Sequence, residues 1–183
     1  MKTTQSNNLI AVRSALSAIS AGVIASLVCC IVFTAARITG ITSYNEEFLV
    51  SKAWVGSLSQ NPAIWLLGLI VSLIIGGIVG WLYSAGFKAI RKWARSGWDT
   101  GIALGVVHWM IAGLFIGYFA SAGQPGYFGV ALGWPTFALF FLTHLLFGAI
   151  VGGLYLPPAR AIDQSGIISE HEADEEEWMR EAS

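Results

Sequence analysis

Four stretches of this chain run for twenty residues or more without a single Asp, Glu, Lys or Arg: residues 14–36, 63–87, 100–121 and 131–156. A hydrocarbon core about 30 Å thick is crossed by about 20 apolar helical residues, so each stretch is long enough to span a bilayer. Strands are excluded for such runs, because an unclosed sheet in lipid would leave backbone groups without partners. The expectation is an all-α membrane protein of four transmembrane helices. Only 11% of the 183 residues are charged, against roughly 25% in an ordinary soluble domain. Water cannot be the main solvent of such a surface.

Those charges sit in the links, and their placement predicts orientation. Lys88, Arg91, Lys92 and Arg95 crowd the second link, whereas residues 122–130 carry no charge. Cations collect on the cytoplasmic side, which sets the second link there. With Lys2, Arg13, Arg160 and Arg180 the same side holds eight cations, and only Arg37 and Lys52 fall opposite. An even number of spans then returns both termini to the cytoplasm. The predicted organisation is a cytoplasmic N-terminus over 1–13, a transmembrane domain over 14–158 and an acidic cytoplasmic tail over 159–183. A cleaved signal is disfavoured, because the first run exceeds the 7–15 apolar residues of a signal segment.

The links divide by composition. Residues 38–62 form a long outer loop in which Ser43 and Glu46 have capping-box spacing. Phe48, Leu49, Ala53 and Trp54 could then line a short helix on the membrane surface; an ordinary exposed loop is the alternative. Lys88, Arg91, Lys92 and Arg95 fall at i, i+3, i+4 and i+7 beside Trp93 and Trp98, a composition suited to anionic lipid headgroups as well as to fixing topology. Gln124, Pro125 and Gly126 read as a turn. After Pro158 the chain becomes acidic, with seven Asp and Glu between Glu170 and Glu181. That composition reads as a solvated tail. Trp178 within it is a candidate docking residue for a cytoplasmic partner, and His171 among the acids is weak as a metal ligand.

Small residues let helix backbones approach closely in lipid, where apolar contact alone gives little drive to associate. Each span carries such a ridge. Ser14, Ala18, Gly22, Ser26 and Cys30 recur every four residues in the first; Gly76 and Gly80 mark the second, Gly101, Gly105, Gly113 and Gly117 the third, and Gly148 and Gly152 the fourth. A compact bundle is expected. At an offset of 72 residues Gly76, Ile78, Val79, Gly80, Leu82 and Tyr83 match Gly148, Ile150, Val151, Gly152, Leu154 and Tyr155. Two parallel helical-hairpin repeats would produce that match, although spans one and three show no ungapped counterpart.

A Gly-rich span ending in Tyr83, a basic link with Arg91, Lys92, Trp93 and Trp98, a span with Gly101, Gly105 and Trp109, and a final 148–155 segment together resemble small uncharacterised bacterial inner-membrane proteins of the YqhR-like type. The resemblance covers roughly residues 63–156. It implies the same architecture and a bacterial inner membrane, and it brings no established activity.

Within the spans the only readily ionisable side chains are His108 and His144. An ion-coupled transporter usually lines its path with acidic or basic groups, so that class is disfavoured. His108 shares a face with Gly101, Gly105 and Ala112, and His144 with Gly148, Val151 and Tyr155, so both should point inward. At 1.5 Å per residue they lie on the order of 12 and 20 Å from the cytoplasmic ends. Three readings follow: neutral imidazoles bonded between helices, paired axial ligands of a haem b, or a pocket for a lipid, quinone or small solute. The adjacent Cys29 and Cys30 read as small core residues, and no metal-ligand spacing is present. No nucleophile with a base, no phosphate loop and no nucleic-acid motif is present, which makes an enzyme the less favoured class. The favoured class is a structural, accessory or assembly subunit of a membrane complex, whose partner would be another membrane protein or a second copy of the chain.

Overall fold

The computed structural model describes residues 2–45, 47, 49–51, 61–90, 96–119 and 126–155. Four α-helices organise them: α1 Lys2–Ile38, α2 Pro62–Ile90, α3 Gly97–Phe119 and α4 Trp134–Leu154, with a 3-10 turn at Tyr127–Leu132 before α4. No strand occurs among the described residues. All four helices are long and apolar enough to cross a membrane.

The helix ends follow local chemistry. α1 stops at a left-handed Gly40 (φ 76°), where Ile41 N–H donates to Ala36 O at 2.8 Å and Gly40 N–H to Arg37 O at 3.1 Å; this glycine-terminated pattern satisfies carbonyls the helix would otherwise orphan. Asn61 caps α2 by accepting from Ile64 N–H at 2.9 Å, with Pro62 in the first turn. Ser96 accepts from Asp99 N–H at 3.2 Å and donates to Asp99 Oδ2 at 2.9 Å, which starts α3 at Gly97. The fourth helix begins at Trp134 rather than at residue 131. Phe128 (φ 55°), Gly129 (φ 77°) and Gly133 (φ 92°) break the helical path, and Pro135 starts it afresh.

Packing is dominated by two pairs, α1 with α2 and α3 with α4. Each closes backbone on backbone. A Cβ built on Gly22 would meet the Gly76 carbonyl and stand 2.8 Å from Gly80 Cα; one built on Gly101 would meet the Gly148 carbonyl and stand 2.9 Å from Gly152 Cα. The correspondence is systematic. Gly76 and Gly80 map onto Gly148 and Gly152 at 72 residues, while Ala18, Gly22 and Ser26 map onto Gly97, Gly101 and Gly105 at 79. Buried positions 21, 22, 25 and 26 of α1 likewise map onto buried positions 100, 101, 104 and 105 of α3. The four expected ridges of Gly76/Gly80, Gly101/Gly105 and Gly148/Gly152 with the first span are therefore hairpin contacts. Gly113 instead lies under the Phe128 ring of the 3-10 turn, and the surroundings of Gly117 lie outside the described residues.

The pairs join mainly through α1 and α4. Ser14 Oγ and Tyr155 Oη lie 3.1 Å apart at one end, Cys29 Sγ donates to Thr143 O at 3.3 Å midway, and Thr42 Oγ1 and Thr136 Oγ1 lie 2.7 Å apart at the other end. Contact between α2 and α3 is the least extensive of the neighbouring pairs. It includes the Leu104 side chain against Gly86, and Tyr83 against His108.

The connection after α1 is helical at residues 47 and 49–51, as the short-helix reading expects, but it carries buried residues rather than lying wholly on the surface. Its described residues between 42 and 51 turn into the Thr136 end of the bundle: Tyr44, Glu47 and Ser51 are buried. Tyr44 meets Phe33 of α1 at 5.2 Å in a tilted contact and Phe140 of α4 at 6.4 Å edge on, and Leu49 packs on the same cluster. Ser51 Oγ bridges Glu47 O at 2.9 Å and Ile64 O of α2 at 2.5 Å. Phe48, Ala53 and Trp54 lie outside the described residues.

Candidate functional site

Polar side chains from all four helices meet inside the bundle: Cys29 of α1, Tyr83 of α2, His108 of α3 and His144 of α4. The helical faces expected for the two histidines are the faces they occupy. The His108 and His144 rings stand in edge-to-face contact, centroids 4.7 Å apart and planes at 68°. Tyr83 Oη lies 3.4 Å from His108 Nδ1. Phenol and imidazole are each donor and acceptor, so this long bond is made in either tautomer. His144 is more constrained: its Nδ1 lies 2.7 Å from Phe140 O, one turn back on α4. A carbonyl only accepts, so His144 carries its proton on Nδ1 and leaves Nε2 as an acceptor.

Aromatic rings enclose this pair. Phe140 meets His144 at 4.4 Å, Phe147 meets His108 at 5.4 Å and Tyr83 at 5.7 Å, each edge on. Cys29, Phe147 and Val151 belong to the same buried cluster as Tyr83, and the partly buried Val79 packs against it. A solute pocket would need open space beside the imidazoles, and the sides described here are filled by rings. Axial imidazoles of a haem must face one another across the macrocycle, whereas these rings touch directly. The residues as placed do not fit a porphyrin, and no group of three His, Cys, Asp or Glu able to hold a metal ion occurs among the described residues.

Sequence reasoning placed the two histidines but missed two of their neighbours. Tyr83 was legible as a member of the internal match, and its pairing with His108 depends on how α2 meets α3. Cys29 occupies the α1 position that corresponds to His108 at the offset of 79. That offset differs from the 72 of the other helix pair, so no single shift of the sequence shows it. A third omission is Glu47, 1% exposed, whose Oε1 has no hydrogen-bond partner. Its signal was absent because residue 47 lies outside every apolar run.

The remaining expected residues divide. Lys88 lies on α2, with its side chain outside the described residues, and Arg91, Lys92 and Arg95 lie outside them altogether. So do Trp93, Gln124 and Pro125, and the tail with His171 and Trp178. No protein-family model, curated protein or solved structure matches the chain.

Proposed function

We propose that this chain is a multi-pass protein of a bacterial cytoplasmic membrane, with both termini in the cytoplasm, acting as a structural, accessory or assembly subunit of a membrane complex. The observation carrying this reading is the construction of the interior. Helices close through glycine backbones, and the two imidazoles inside are occupied by each other, by Tyr83, by a backbone carbonyl and by phenylalanine rings. Side chains used in this way join helices. Two hairpins with equivalent glycine contacts support an origin in a duplicated, parallel helical hairpin. The resemblance to YqhR-like proteins adds architecture and no activity.

The outer surface fits the same role. Leu66, Ile70, Ile74, Ile78 and Leu82 of α2 and Val107, Ile111 and Leu114 of α3 are exposed, which suits lipid or another helix and does not suit water. Affinity purification from native membranes, with and without residues 159–183, tests the proposal. A stoichiometric companion protein is expected with the tail intact; recovery of the chain alone from both preparations would overturn the accessory role. Reporter fusions in the 88–95 link and the 122–126 link test the topology separately, with opposite compartments expected.

A further inference from the structure

Exposed tryptophans mark the two ends of α4. Trp134 opens the helix and is 72% exposed. Trp98 of α3, 56% exposed, lies over the other end, where a Cβ built on Gly153 would stand 2.7 Å from its Cζ2. The nineteen residues from Trp134 to Gly153 rise about 28 Å at 1.5 Å each, and the hydrocarbon core of a bilayer is about 30 Å thick. A tilt of about 20°, usual for a transmembrane helix, shortens that projection by only about 2 Å.

Between the two levels the surface is of one kind. Every exposed position of α4 from Pro135 to Gly152, and of α3 from Ile102 to Phe115, is apolar. Charge begins where this band ends: exposed Asp99 follows Trp98, and exposed Arg13 precedes Ser14, whose Oγ lies 3.1 Å from Oη of Tyr155, two residues past Gly153. Charged residues on two helices thus mark the Trp98 level independently of the indole. At the other end Tyr127, in the 3-10 turn just before α4, is exposed as well. An indole or phenol suits such a boundary, because its ring sits among acyl chains while its N–H or O–H meets headgroup oxygens.

We propose that Trp98 and Trp134 bind the two headgroup layers of a phospholipid bilayer and fix the depth of the bundle, with the contact between His108 and His144 at the midplane. His144 lies ten residues along α4 from Trp134, about 15 Å, and so stands nearly as far from one layer as from the other. Trp81, 51% exposed on α2 two residues before Tyr83, falls near the same depth through the contact of Tyr83 with His108. Its ring meets acyl chains and no headgroup. The inference rests on the multi-pass reading and adds to it the residues that meet the lipid headgroups and the position of both boundaries.

The test uses the full-length protein in phosphatidylcholine vesicles. Spin labels are placed one at a time on cysteines introduced at the exposed positions Ala138, Leu142, Leu146 and Leu154, Cys29 and Cys30 being buried. Depth is read from the ratio of relaxation by oxygen to relaxation by a water-soluble nickel chelate. From the rise per helical residue, Leu142 and Leu146 are expected within about 4 Å of the midplane, Ala138 about 8 Å from it and Leu154 about 16 Å from it. Tryptophan fluorescence gives the second readout, with lipids brominated either near the headgroup or near the chain end. Quenching by the shallow bromines should fall in the double variant Trp98→Phe, Trp134→Phe, whereas quenching of Trp81 by the deep bromines should persist. Labels at 142 and 146 that respond to nickel rather than oxygen would sink the multi-pass reading and the proposal with it. With those two labels in hydrocarbon, a deepest label at 138 or 154, or shallow quenching that survives the double variant, overturns the proposal and leaves the multi-pass reading standing.

Discussion

Replacing Gly101 with alanine puts a methyl group into the contact between α3 and α4, at a point where both neighbours are backbone. The new Cβ would stand 2.9 Å from Gly152 Cα, with the Gly148 carbonyl closer still. Carbon atoms in ordinary contact sit about 3.5–4.0 Å apart, so the helices must separate by at least roughly 0.6–1 Å. Neither obstacle is a side chain that can rotate away. Overpacking of this kind costs about 1–3 kcal/mol, and alanine regains up to about 1 kcal/mol of helix propensity over glycine. A net loss of about 1–2 kcal/mol is expected, roughly a 5–30-fold drop in the folded-to-unfolded ratio. Gly77→Ala is the matched comparison: its nearest atoms are the Val23 Cγ2 methyl at 3.2 Å and the Ile19 Cγ2 methyl at 3.4 Å, which can shift. It should be neutral or slightly stabilising. Gly22→Ala, facing Gly76 and Gly80 in the other hairpin, should match Gly101→Ala. Unfolding of the purified protein by a graded denaturing detergent in mixed micelles measures all three. Were Gly101→Ala as stable as Gly77→Ala, the close approach of α3 and α4 would be refuted.

Three further outcomes follow from particular contacts. Tyr155→Phe and Ser14→Ala each remove one partner of the 3.1 Å bond joining the C-terminal cap of α4 to α1; each should cost about 0.5–1.5 kcal/mol, and the double variant should cost less than the sum, as a double-mutant cycle would show. Thr136→Val removes the 2.7 Å bond to Thr42 and should raise amide exchange over residues 42–51 several-fold while leaving α3 unchanged. His144→Phe loses the bond to Phe140 O but keeps a ring against His108. It should remain folded and lose about 0.5–1.5 kcal/mol. Protein purified from native membrane should show no Soret absorption in either redox state, and a Soret band that disappears in His144→Phe would reinstate haem binding.

Hydrophobic length and small-residue spacing are local properties, and the sequence by itself determined what depends on them. Four uncharged runs gave four helices, with bounds shifted by a few residues where Gly133 and Pro135 or the Ser96 cap intervened, while α1 starts at Lys2, twelve residues ahead of the uncharged run at 14, and takes in most of the expected N-terminal segment. The glycine ridges gave the hairpin contacts, and helical periodicity turned His108 and His144 inward. What lies opposite each face was decided only by assembly. The histidines meet because α3 and α4 share a glycine seam, and Tyr83 reaches His108 because α2 leans on α3 near Leu104. Hydropathy sends residues 42–51 to the surface, since Asn45, Glu46 and Glu47 interrupt any apolar run. The burial of Tyr44, Glu47 and Ser51 requires a place prepared by other elements, namely the bare backbone of Gly68 and the Phe33 and Phe140 rings. A segment's affinity for such a place is absent from its own residues, which is why the least lipid-like stretch of the described chain carries its most deeply buried carboxyl.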